Sequence, residues 1–172
     1  VDLRRSFNGG LAGGIAAAVW AAQQPADKRA FASEYDDVEL LGRAATPGDG
    51  WPLPGLLLHL QNGIVFGAAY AQLARFMPGP SALRGAAAAS AEHLLTWPLV
   101  AVVDSRHPRR RKLPDLHRNR RAFWQGWYRH VLFGLILGAL EARLNAEAEE
   151  EPRPIPVSSN GHGSIELAVG AA

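Results

Sequence analysis

A chain of 172 residues with a formal net charge of +2 is long enough for one domain with a sizeable core and too short for two ordinary ones. The absence of cysteine excludes a disulfide scaffold and thiolate metal sites. Mean hydropathy near zero hides a segregation into apolar blocks, a basic connector and an acidic tail, and eight of the eighteen Lys and Arg lie between Asp104 and Arg121.

Ser6 to Ala26 is the first candidate span, 21 residues without Asp, Glu, Lys or Arg, which suits a hydrocarbon layer ~30 Å thick. It is rich in Gly and Ala, and Gly9 with Gly13 and Gly10 with Gly14 form two overlapping GxxxG pairs that need a neighbouring helix to pack against. A competing reading is a signal peptide with Arg4 and Arg5 as its basic end, cut near Ala21 or Ala22. Cleavage would leave the basic 104–121 loop outside, against the positive-inside tendency. Residues 23–50 are polar and acidic. Phe31, Tyr35, Val38 and Leu41 stand at helical spacing within Ala26 to Arg43, which predicts a surface helix, and TPGDGWPLPG ends it with Trp51 as an interfacial anchor.

Gly50 to Ala74 is the cleanest span, 25 residues without formal charge, closed by Arg75 and MPGP. A third span covers 85–103 and carries Glu92 and His93. A charge at that depth is expensive, so Glu92 is expected to be neutral, paired or facing water. SRHPRRRKLPDLHRNRR follows as a basic connector, and a fourth span covers 122–143, interrupted by Arg129. Residues 147–172 combine an acid run, alternating prolines and a Ser/Asn/Gly patch, which predicts a disordered tail outside the 1–146 domain.

Two echoes indicate an internal duplication. His130, Gly134, Gly138 and Ala142 repeat the four-residue spacing of His59, Gly63, Gly67 and Ala71, a small helix face that suits close packing in lipid. Trp20, Asp27 and Arg29 are repeated in spacing by Trp97, Asp104 and Arg106, although Trp before charge also marks any membrane interface. The expected fold is therefore all-α, a membrane four-helix bundle made of two tandem hairpins with pseudo-two-fold symmetry. Its glycines Gly9, Gly13, Gly63, Gly67, Gly134 and Gly138 are expected at helix contacts.

Counting along each helix at its usual rise places His59 and His130 ~12 Å, and Glu92 and His93 ~17 Å, from the loop-side boundary. With Arg129 they form one intramembrane polar cluster, in which a Glu92 to Arg129 pair is the expected neutralisation and the histidines bond across helices. Two further readings stand beside this packing role. One is a proton, ion or solute path through Glu92 and a histidine. The other is a haem between His59 and His130, or zinc on His59, His93, His130 and Glu92, although no CxxCH attachment motif is present. Otherwise no metal or cofactor is expected. His107, His117 and His162 read as solvated surface.

Arg109, Arg110, Arg111 and Lys112 abut a span and lack interleaved aromatics, so anionic lipid headgroups are the expected partner and nucleic acid is not. Loops 23–50 and 104–121 gather eleven Lys and Arg against six on the opposite side, which predicts a multi-pass protein of the cell membrane with these loops cytoplasmic. No nucleophile elbow, phosphate loop, HExxH or dinucleotide fingerprint appears, and no enzyme is expected.

The segments WAAQQPADKRAF, YDDVELLGR, LHLQNGIVFGAAYA, AEHLLTWPLVAVVD and NRRAFWQGWYRHVLFGLILGALE resemble uncharacterised bacterial integral membrane proteins of four predicted spans. The resemblance covers about Phe7 to Leu144. It implies a membrane bundle and transfers no site residue. The expected function is a structural or partner subunit, joined to other membrane subunits or to itself, or a transport-related bundle; the alternative is a haem- or metal-binding redox component.

Overall fold

The computed structural model describes the backbone of residues 1–46 and 48–150 and the side chains through Ala146 among them. All its regular elements in that range are helical: α1 (Leu3–Phe31), α2 (Asp37–Ala45), α3 (Pro52–Ala74), α4 (Ser81–Thr96), α5 (Val100–Arg106) and α6 (Arg120–Glu150). The tail predicted for 147–172 begins as the end of α6, and residues 151–172 lie outside the described range.

Local chemistry sets the helix ends. The Asp2 carboxylate accepts the Arg5 N–H to open α1, and Ala32 at φ 46° closes it in the left-handed conformation. α1 thus runs five residues past the expected end of the first span. The surface helix predicted over 26–43 is not continuous, because the chain breaks at Ala32 and restarts where Asp36 caps the Glu39 N–H. Pro98 lacks a donor, and a single 3-10 turn, Trp97–Leu99, joins α4 to α5 as one rod. The Asp104 carboxylate takes the N–H groups of Leu116 and His117 and folds the basic connector back to α6, which Asn119 caps.

Glycine decides which helices meet. A Cβ on Gly13 would overlap the Gly63 carbonyl oxygen, and one on Gly67 would overlap that of Gly9, so α1 and α3 touch backbone to backbone. α4 and α6 do the same. Gly134 faces Gly85, and Gly138 faces Ser81 and Ala82. Gly63 and Gly134 therefore occupy matching places, as do Gly67 and Gly138, and the His/Gly/Gly/Ala echo corresponds to matching contacts. The Trp/Asp/Arg echo does not. By the glycine contacts, Gly13 matches Gly85, which is five residues out of step with a Trp20 to Trp97 equivalence. α1 lies against both α3 and α6, while α3 and α4 meet sparsely.

The interior is unusual for a water-facing protein. Its apolar part is mostly Ala12, Ala16, Ala17, Ala71, Ala74, Ala89 and Ala122, with Trp20, Tyr70, Phe133 and Leu137, while Asp27, Gln125, Arg129 and Glu141 are also buried. Leu57, Val65, Leu73, Phe76, Leu83, Leu95 and Leu99 point outward. The rod Ser81–Arg106 is the one described helix both long and apolar enough to cross a membrane. α1, α3 and α6 have the length, at 29, 23 and 31 residues, but each is too polar or too charged, so four spans do not follow from helix composition. Gly and Ala in α1, His59, Gln61 and Asn62 in α3, and the charges of α6 are the cause.

Candidate functional site

The sparse α3–α4 contact leaves a cleft of about 750 Å³, backed by Trp20 of α1 and by His130 and Phe133 of α6, with Tyr35, Asp37 and Leu41 closing its loop end. Four of the five residues expected in the polar cluster, His59, Glu92, His93 and His130, line it. The fifth, Arg129, lies behind the wall.

His130 and Glu92 form a hydrogen-bonded pair, Nε2 to Oε2 at 2.8 Å, with the Glu92 side chain 38 % exposed. His130 Nδ1 stands 2.7 Å from the Gly126 carbonyl. A carbonyl only accepts, so Nδ1 carries a proton, and the Nε2 to Oε2 contact then needs one more. That proton sits on the imidazole or on the carboxyl, and either arrangement makes the pair neutral overall. The expected Glu92 to Arg129 pair is replaced by this one.

The His93 ring lies 4.7 Å from that of His130, and its buried Nε2 has no hydrogen-bond partner among the described residues. His59 Nε2 donates to the Ala17 carbonyl at 3.1 Å. Trp20 stands edge-on to both other histidines, 5.3 Å from His59 and 4.7 Å from His130. The indole thus packs against both of the histidines that a bridging haem would use. No three His, Asp or Glu among the described residues are grouped closely enough to hold a metal ion.

Arg129 points about 100° away around α6, toward α1 and the segment before α2. Its Nε and Nη2 grip the Asp27 carboxylate at 2.6 and 2.5 Å, its Nη1 donates to Asp37 at 2.7 Å, and Nη2 also reaches the Tyr35 carbonyl at 3.0 Å. Gln125 and Gln23 donate to Asp27, and Trp20 and the Tyr35 hydroxyl donate to Asp37. Two carboxylates share one guanidinium here. At the other end of the bundle Arg5 meets buried Glu141 at 3.2 Å, which also accepts from Asn145.

Burial pushes the Tyr35 phenol well above its usual range, and the Asp37 carboxylate pushes it further, so the hydroxyl stays a donor. Burial also acts to raise the Asp37 carboxyl, but Arg129 and the Tyr35 hydrogen bond outweigh it and the net shift is downward. A depressed folded-state value stabilises the fold above the unfolded-state value of about 3.9, and that contribution is lost as pH falls through the folded-state value. Thermal unfolding midpoints of the purified protein are therefore expected to drop below about pH 4, with a shallower drop in Asp37→Asn.

No family model, curated protein or solved structure matches the chain. The remaining expected positions are placed as follows. Gly9, Gly13, Gly63, Gly67, Gly134 and Gly138 are all buried at helix contacts. Arg109, Arg110, Arg111 and Lys112 are exposed in the connector after α5. Asp27, Asp37, Tyr35 and Gln125 were not expected at the site, because they fall in or beside a stretch that reads as a polar surface loop, or look like interfacial polar residues. The unpaired acid count of 23–50, six Asp and Glu against three Lys and Arg, is the signal that a cation from elsewhere has to answer them.

Proposed function

We propose that the chain is an integral membrane protein of four spans, α1, α3, the α4–α5 rod and α6, and that the α3–α4 cleft takes up a small solute during transport. The two hairpins, α1 with α3 and α4 with α6, would be related by a pseudo-two-fold axis along the membrane normal, as their matching glycine contacts support. The distribution of side chains favours lipid as the solvent. Asp27, Arg129, Glu141 and the small residues of the helix contacts face inward, many large aliphatic ones face outward, and contact through glycine is how helices associate where burying Leu gains nothing.

The observation that carries the transport reading is that His59, Glu92, His93 and His130 all line one cleft, with the Glu92 side chain partly exposed and the His93 Nε2 without a hydrogen-bond partner among the described residues. A purely structural role would have the buried His93 Nε2 paired as His59 and His130 are. Loops 23–50 and 104–121 belong on the cytoplasmic side in this reading, with Arg109 to Lys112 at anionic headgroups, as the excess of basic residues favours.

Three measurements test it. Membranes washed in alkaline carbonate should retain the protein, and a Cys placed at Ser105 should react with an impermeant reagent only after the cytoplasmic face is opened. In proteoliposomes, Glu92→Gln should lose most of the pH-dependent flux while inserting normally. Release of the protein by carbonate would refute the membrane assignment, and unchanged flux in Glu92→Gln would refute the role of the cleft.

A further inference from the structure

Resting on the membrane reading above, we propose that the α3–α4 cleft binds protonated organic amines that carry an apolar body, admitted sideways from the lipid between the two helices. Charge is the first reason. Glu92 and Asp37 line the cleft, and no Lys or Arg does. Asp37 at the loop end of the cleft and Asp27 behind the wall bring two negative charges against the single positive charge of Arg129. Lys28 does not restore the balance, since it pairs with Asp36 at 2.6 Å. The Glu92–His130 pair is neutral overall and adds charge of neither sign, which leaves the one uncompensated negative charge of the Asp27, Asp37 and Arg129 group. The wall therefore has an excess of negative charge in a low-dielectric setting, where an anion would be repelled and a cation strongly favoured.

Shape and hydrogen bonding narrow the class. Trp20, Tyr35, Phe66, Trp97 and Phe133 present aromatic rings to the same space, which suits an apolar body and the face-on approach of a cation. The buried Nε2 of His93 has no partner among the described residues, and on this proposal it takes an N–H of the ligand. Glu92, with its carboxylate partly exposed, takes another. On the α3 rim Gln61 and Asn62 are exposed although they lie ~15 Å along the helix from Trp51, a depth at which bare amides are costly in acyl chains. A polar-headed guest passing between α3 and α4 would meet them on its way in. At about 750 Å³ the cleft falls within the ~300–1,000 Å³ range of small-molecule sites.

The probe is dansylcadaverine, a primary ammonium on an aromatic body, titrated into the full chain in uncharged detergent micelles. Saturable binding is expected, with displacement by octylamine and none by octanoate. Glu92→Gln should weaken it by about tenfold or more. Ala69→Trp, at an exposed cleft-lining position where no buried packing is disturbed, should block it while gel filtration shows an unchanged particle. Absence of saturable binding to monodisperse protein overturns the proposal, as do equal displacement by octanoate and full binding in Ala69→Trp. A cleft plugged by a second copy, seen as efficient disulfide cross-linking of Val65→Cys and no probe uptake, also overturns it. If the chain instead partitions into the aqueous phase of Triton X-114 and still binds the probe selectively, the amine site stands and the membrane assignment falls.

Discussion

Arg129→Met is expected to destabilise the protein by ~3–5 kcal/mol, because it removes the partner of the buried Asp27 and the half-buried Asp37 at once. Arg129 is fully buried, and Asp27 is 3 % exposed. The cost arises less from the lost attraction than from the charges left behind, above all that of Asp27, which has no water to turn to. Arg129→Lys should rescue little, since a single ammonium cannot match the Nε and Nη2 grip on Asp27 while also reaching Asp37. The triple change Arg129→Met, Asp27→Asn, Asp37→Asn should recover a large part of the loss, because it leaves neutral groups in place of unpaired charge. Unfolding midpoints of the four proteins in mixed micelles check this. Parent-like stability of Arg129→Met alone would mean that the carboxylates reach water by another route.

The same cluster shows where reading the sequence succeeds and where it stops. Helix contacts were legible because their cause is local: a four-residue spacing of Gly63, Gly67 and Ala71, and of Gly134, Gly138 and Ala142, puts small residues on one face whatever the neighbour is. His59 and His130 were legible for the same reason, as members of those repeats. The choice of Arg129's partner was not. Depth along a helix axis placed Glu92 near it, but His130 and Arg129 are adjacent residues and point about 100° apart around α6. His130 therefore faces α4, and Arg129 faces α1. Asp27 and Asp37 became candidates only once α1 was seen to continue past Pro25 and carry Asp27 inward. The Trp20 to Asp27 and Trp97 to Asp104 echo misled because equal spacing was read as equal place. Asp27 binds a buried guanidinium, whereas Asp104 binds the backbone of the connector.

Gly67→Ala and Gly85→Ala are expected to separate their helix pairs, each at a cost at or beyond the upper end of ~1–3 kcal/mol for overpacking. The obstacle in both cases is backbone. A methyl on Gly67 meets the Gly9 carbonyl and the Gly13 Cα at 2.9 Å, and one on Gly85 meets the Gly134 carbonyl and the Gly138 Cα at 2.9 Å. No rotamer change relieves such contacts, so the helices must move apart along their whole length and lose the dispersion contacts between them. Gly14→Ala provides the control within the same helix. Its methyl would meet the Ile64 Cγ1 at 3.1 Å, a flexible side chain that can yield, and alanine gains ~1 kcal/mol over glycine in a helix. That variant should match or exceed the parent in unfolding midpoint. If Gly67→Ala and Gly14→Ala behave alike, the helices are not held at glycine distance, and the closeness of α1 to α3 is not what keeps the α3–α4 cleft open. If Gly67→Ala fails as expected, the bound probe should be lost with it, since moving α3 away from α1 removes His59 and Phe66 from the wall that Trp20 and Phe133 support.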